Sequence, residues 1–214
     1  MKKIFNLLLD FLLPRSKNLK MIEEMNADIF RQSVSQIIQN PGHETVAIFS
    51  YRHPLVKTAV WELKYRGNRK ITGLLAECLY EELIPELTER KMAENFENPL
   101  LVPIPISDSK RRKRGFNQCE LLAKALEKMD NGRFFETDFS ALKKIEETES
   151  QTGKNRTARL ANLKNSFVAS PEKVSGRNII LIDDVTTTGA TFEEARKTLL
   201  RSGARKIFCA AIGH

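Results

Sequence analysis

Apolar residues in the first third of the chain recur at near-helical spacing. Ile22, Met25 and Ile29 are followed by Val34, Ile37 and Ile38, and Pro41-Gly42 then breaks the run. A short strand is predicted over Thr45–Ser50. The helical period returns from His53 to Leu63 and from Ile71 to Leu87, divided by Arg66-Gly67-Asn68. Further on, the pattern changes to short apolar runs, Leu100–Ile106, Phe139–Ile145, Asn178–Ile182 and Lys206–Ile212, which read as buried strands. Helical stretches lie between them. Asn117–Met129 carries Leu122, Ala125, Leu126 and Met129 at i, i+3, i+4 and i+7, and Thr191–Arg201 stops before Gly203. This alternation predicts an α/β fold over residues 45–214, a mainly parallel sheet with helices on both faces, preceded by a helical N-terminal segment over residues 1–44. Ligands of such sheets bind beyond the carboxyl ends of the strands, which directs attention to the loops after Ile106 and Ile182.

The opening MKKIFNLLLDFLLP looks superficially like a secretory signal. Asn6 and Asp10 interrupt its apolar core, it ends in Pro14-Arg15, and it is far shorter than the roughly 20 residues of a membrane span. A short helix docked on the protein or a partner is expected, and no stable membrane insertion. With 41% hydrophobic and 29% charged residues in 214, the chain can bury a core, which excludes disorder as its main state. Cys78, Cys119 and Cys209 lie far apart with no CxxC pair, so a disulfide framework or zinc ribbon cannot be built from them, and a reducing cytoplasm is expected. The net charge of +8 favours polyanionic partners. It is concentrated in the unbroken run Lys110-Arg111-Arg112-Lys113-Arg114 and in Lys2, Lys3, Arg15, Lys17 and Lys20.

The strongest chemical signal is the string from Ile179 to Thr191, IILIDDVTTTGAT. An apolar strand delivers Asp183 and Asp184 to its end, and a hydroxyl- and glycine-containing turn then opens a helix whose first N–H groups attract an anion. Taken singly, Thr188 reads as a helix N-cap, Gly189 as a turn residue and Asp183 as a solvated strand end. The ordered string points instead to a phosphate cradle beside an acidic pair. A second signal is Val102-Pro103-Ile104-Pro105-Ile106-Ser107, then the basic run, then Arg114-Gly115-Phe116-Asn117-Gln118. A strand, a guanidinium-rich loop and a helix start make a second anion site, suited to diphosphate because arginine grips phosphate oxygens in pairs. A third is the polar segment with Gln151, Thr152, Gly153, Arg159, Asn162 and Phe167, whose length and position suit a lid.

The Ile179–Thr191 string resembles the 5-phosphoribosyl-1-diphosphate (PRPP) motif of type I phosphoribosyltransferases. That resemblance implies a type I phosphoribosyltransferase-like fold. Asp183 and Asp184 would face the ribose hydroxyls and the metal-bound diphosphate. Thr187, Thr188, Gly189, Ala190 and Thr191 would wrap the 5-phosphate, and Mg2+ would be held mainly by PRPP itself, with Asp183 and Asp184 as the candidate protein ligands. Together with VPIP, RGFNQ, the Gln151, Arg159, Asn162 and Phe167 series, and Tyr51, Pro54, Leu55 and Leu63-Lys64-Tyr65-Arg66-Gly67, the whole chain from Tyr51 to Ile212 is similar to the ComF family. Known members serve DNA uptake and competence. The chain departs from the family in one respect, keeping the leucine-rich opening but having no cysteine before Cys78 where members carry a zinc ribbon. No zinc is expected, and packing by Leu7, Leu8, Phe11, Leu12, Ile22, Ile29 and Ile37 is expected to hold the N-terminal segment instead.

The resemblance implies transfer of a phosphoribosyl group to an unidentified acceptor with release of diphosphate. Asp183, Asp184 and Arg159 would be catalytic, Arg114 and Gly115 would bind diphosphate, and Gln151 would belong to the lid. The competing reading is a non-enzymatic protein that senses ribose phosphate or binds single-stranded DNA through the basic run, beside which the sequence places one aromatic, Phe116. Partners in view are PRPP or a related ribose phosphate, single-stranded DNA, proteins of the competence machinery, and a second copy of the chain.

Overall fold

The computed structural model describes residues 17–34, 45–145 and 166–214. Its central feature is a sheet of five parallel strands: β1 (Thr45–Phe49), β2 (Leu100–Pro103), β3 (Glu136–Thr137), β6 (Asn178–Val185) and β7 (Lys206–Gly213), in the order β1-β7-β6-β2-β3. The strand between β7 and β2 is β6, and it reads as an unbroken apolar run because both of its faces are covered. Strand alternation divides the core. Ile180 and Ile182 join Leu101, Phe208, Ala210 and Ile212 on one face, whereas Ile179 and Leu181 join Leu100, Val102, Ile207 and Cys209 on the other.

The first face is covered by helices α1 (Lys17–Glu24), α2 (Ala27–Ser33), α3 (Pro54–Trp61) and α4 (Arg69–Glu94), with α6 (Gln118–Asp130) against α4. The second is covered by α8 (Ala190–Arg201) and by a separate antiparallel ladder of β4 (Leu142–Lys144) and β5 (Phe167–Ala169), which leads into the short α7 (Pro171–Val174). The predicted α/β arrangement with helices on both faces is thus present, with four differences in detail.

The first is that the apolar run at 139–145 does not enter the parallel sheet. Its Leu142–Lys144 pairs with Phe167–Ala169, and the fifth parallel strand is Glu136–Thr137. The second is that the helical period from Ile22 to Val34 is two helices, broken at Met25-Asn26, where the Asn26 side chain caps α2 by accepting the Ile29 N–H. The break turns Phe30 into the core and leaves Ile29, expected to pack, 48% exposed, while Ile22 is buried. Leu7, Leu8, Phe11, Leu12 and Ile37 lie outside the described residues.

The third difference is that the basic run is a helix, α5 (Asp108–Arg114), and not a loop. Ser107 caps its start and Gly115, at φ 81°, its end. The fourth is that α3 runs without a break into a π-helical turn, Glu62–Arg66, closed by Gly67 in the left-handed region at φ 59°. A side chain at Gly67 would be strained by that angle and would also crowd the Phe116 ring at 3.1 Å, so glycine lets this turn approach the segment leading into α6.

Candidate active site

Strand β6 carries the acidic pair inside itself, since Asp183 still pairs with Ala211 and the strand runs on through Asp184 to Val185. Successive residues of a strand leave it on opposite faces, so the two side chains set out toward different neighbours, Cys119 and Lys64, although their carboxylate oxygens stay within 4.8 Å of each other. Asp183 Oδ1 accepts the Asp184 N–H at 2.8 Å and the Cys119 thiol at 3.2 Å. Cys119 sits in the first turn of α6, where Asn117 caps the helix by accepting the Cys119 N–H and anchors it by donating its amide to the Ile104 carbonyl at 3.0 Å. The VPIP and RGFNQ strings are therefore tied to each other and to the acidic pair.

Burial, and after it the neighbouring Asp184 charge, pushes the Asp183 carboxyl up to about 8, so near neutrality it holds a proton much of the time. Burial also raises the Cys119 thiol well above its ordinary value, with both carboxylates adding to the effect. It is a donor here and not a nucleophile. Asp184 is 3% exposed and forms an ion pair with Lys64 Nζ at 2.8 Å. Lys64 comes from the π-helical turn. Burial draws its pKa down, but Asp184 more than offsets this, leaving it raised.

After Val185 the chain turns through Thr186, Thr187 and Thr188 to Gly189, which stands at φ 73° before the first turn of α8. Thr186 is buried, with its N–H held by the Gly213 carbonyl, whereas Thr187 and Thr188 are exposed. Gly189 and not Thr188 is the N-cap residue, although the Thr188 hydroxyl accepts the Ala190 N–H at 3.4 Å. A Cβ at Gly189 would touch nothing within 4 Å, so glycine is required for the backbone angle and the approach to Ala190 and Thr191 stays open.

On the other side, Arg114 stands apart from the rest of its run. Lys110, Arg111, Arg112 and Lys113 are exposed, and Arg111 pairs with Glu120. Arg114 is half-buried, donates to Gln118 Oε1 at 2.9 Å and stacks over the Tyr65 ring at 5.1 Å. Gly115 follows as the helix C-cap. Lys64 feels the charges of both Arg114 and the acidic pair, so the end of the basic helix and the acidic pair act on one side chain. Gln151 and Arg159 lie outside the described residues.

Sequence reasoning missed Lys64, Tyr65 and Cys119 as members of the site. LKYRG was legible as a string, but its contact with Asp184 spans 120 positions and depends on the π turn.

The Cys119 Sγ and the carboxylate oxygens of Asp183 and Asp184 lie within 4.8 Å of one another. Two hard oxygens suit a cation such as Mg2+ that retains most of its water, and a protonated thiol adds no ligand to it. The residues present fit the implied metal through the carboxylates alone. No helix among the described residues is long and apolar enough to cross a membrane.

No family model matches the chain. Among curated proteins it is similar to the "DNA utilization protein YhgH" of Escherichia coli K12, 29% identical over 168 residues, covering 78% of this chain and 70% of that one. It is similar to the "Competence protein ComFC" of Bacillus subtilis, 29% identical, covering 73% of this chain and 58% of that protein. It is also similar to the "Competence protein F" of Haemophilus influenzae, 27% identical, covering 79% and 72%. Solved structures with a related fold include the glutamine PRPP amidotransferase of B. subtilis, with a TM-score of 0.43 and 12% identity over 72% of this chain and 30% of that one. Another is a hypoxanthine phosphoribosyltransferase of Staphylococcus aureus, with a TM-score of 0.37 and 12% identity over 65% of this chain and 62% of that one.

Proposed function

We propose that this relative of the ComF competence proteins binds PRPP or a related ribose phosphate and transfers its phosphoribosyl group to an acceptor as diphosphate leaves. One observation carries the reading: the buried acidic pair at the carboxyl end of β6 leads directly into the glycine turn that opens α8. The 5-phosphate is received by the Thr187–Thr191 turn and the first N–H groups of α8. Arg114 and Gly115 take the diphosphate. Gln118 and Tyr65 hold the Arg114 guanidinium in place, so little ordering is left for binding to supply.

The bond from ribose C1 to diphosphate breaks as the acceptor's lone pair arrives, and positive charge spreads over C1 and the ring oxygen, as in glycoside hydrolysis. Asp184, ionised beside Lys64, stabilises that charge, and protonated Asp183 can donate to a ribose hydroxyl. A cation such as Mg2+ would be held mainly by the diphosphate, with these carboxylates as ligands once Asp183 has released its proton, and would supply charge neutralisation. Gln151 and Arg159 are assigned to the lid. Three free, buried cysteines agree with work in the cytoplasm.

Calorimetric titration with PRPP and Mg2+ tests the reading. Wild type binds, and the folded Asp183→Asn, Asp184→Asn double variant loses at least tenfold in affinity. Equal affinities sink the assignment, and a screen for diphosphate release over nucleobases and amines then identifies the acceptor.

A second reading, a non-enzymatic protein that handles single-stranded DNA, gains from the structure a feature the sequence lacked. Tyr65 is 41% exposed, lies under Arg114 and is flanked by Trp61 at 5.4 Å, so an aromatic able to stack on a base stands at the end of the basic helix. If Tyr65→Ala weakens binding of an oligothymidylate but not of PRPP, that second reading is supported.

A further inference from the structure

The ion pair between Lys64 and Asp184 is lopsided. The Asp184 side chain is 4% exposed and the Lys64 side chain 26% exposed, so the ammonium can move out to water while the carboxylate cannot. Lys64 reaches Asp184 from the π turn Glu62–Arg66, and π turns are rare distortions of a helix that are frequent at functional sites. The like charge of Arg114 also acts on Lys64 and opposes its staying. Without Lys64, Asp184 would be an uncompensated buried charge at the mouth of a site meant for polyanions, repelling the ligand it serves.

From this geometry we infer that Lys64 is the resident cation of the acidic pair, a positioning residue that neutralises Asp184 in the ligand-free protein and gives way to a divalent cation. Lys64 and the cation then compete for the same carboxylate. Lys64 lets the site accept a phosphorylated sugar before a metal is present, and it weakens binding of metal alone, so that metal is retained chiefly with its anion. This inference deepens the ribose phosphate reading above and rests on it for the identity of the anion.

The test uses the full chain with Lys64→Met, and with Lys64→Arg as the variant that keeps the charge. In the first arm Mn2+ alone is titrated. Lys64→Met should bind it roughly tenfold more tightly than wild type, while Lys64→Arg should match wild type. A lysine that merely props up the fold would not produce that gain. In the second arm ribose 5-phosphate is titrated in EDTA, where Lys64→Met should bind roughly tenfold more weakly and recover when Mn2+ replaces the chelator.

Equal Mn2+ affinity in wild type and Lys64→Met overturns the inference, as does ribose 5-phosphate binding in EDTA that is measurable and equal in the two. If wild type binds no ribose phosphate but the Mn2+ gain is seen, the ribose phosphate reading fails and the resident cation stands. Should Lys64→Met not fold, Lys64→Gln keeps a hydrogen-bond donor to Asp184 without the charge and is read by the same two arms.

Discussion

Two buried carboxyl groups, at opposite ends of α6, are handled in opposite ways. Asp130, fully buried at the C-terminal end, accepts the N–H groups of Phe134 and Phe135 at 3.0 and 3.3 Å and the Tyr80 hydroxyl at 3.2 Å. Asp183, beside the N-terminal end, has one backbone N–H, a weakly donating thiol and a second carboxylate as its next neighbour. The first is saturated by its own turn and closes it. The second is held where a ligand could complete it, at a cost to the resting fold. Burial alone does not make an acid a candidate for function; what does is burial with its neighbours set against it.

That contrast predicts mutations of opposite sign. The largest effect is expected from Asp130→Ala, which strands two N–H groups and the Tyr80 hydroxyl and should lower stability by about 3 kcal/mol in urea denaturation. PRPP affinity of the folded variant should not change. Asp183→Asn should do the reverse. The carboxyl is raised in the folded state from an ordinary 3.8 to about 8, so below pH ~4 both states are protonated and the substitution is neutral. Between those values the folded wild type is disfavoured increasingly as pH rises. In EDTA the variant's advantage over wild type should therefore grow from almost nothing at pH 4 to its largest value near pH 8, while its ligand binding is lost. A Tm difference independent of pH would break the comparison.

Smaller effects sharpen it. Arg114→Ala should weaken diphosphate binding about tenfold, whereas Lys110→Ala, on the exposed part of the same helix, should change only the salt dependence. Gly189→Ala meets no neighbouring atom and should cost about 1 kcal/mol in stability from its backbone angle alone. At the bottom of the scale, chelation should leave the Tm of the ligand-free protein unchanged and elemental analysis should find no stoichiometric zinc, because no cysteine precedes Cys78.

What the sequence disclosed followed from how local each signal was. The strand over 178–182, which the structure extends to Val185, and the turn to α8 were legible because an unbroken apolar run, two acids and a glycine stand next to one another. Helix α5 was missed although Ser107 and Gly115 bracket it, because five consecutive like charges read as a solvated loop. Leu142–Lys144 was misplaced because an apolar run specifies burial and not which partner strand provides it. Lys64 and Cys119 were not read as site residues because nothing near them in sequence mentions Asp184 or Asp183; folding alone brings them together. Gln151 and Arg159 remain sequence expectations.

The pairing of β1 with β7 bears on the order in which the molecule can be assembled. Thr45 partners Cys209, so the first described strand waits for the last one before it has a neighbour. Helices α1 to α4 can form early, yet the sheet face they cover is finished only when β7 slots between β1 and β6. The same event flanks the β6 carboxylates and completes their desolvation. On a ribosome the chain would carry a half-covered apolar layer until almost its full described length had emerged, the stage at which chaperone capture or aggregation competes with folding. The chemistry of the site and the last step of folding are, in this topology, completed by one strand.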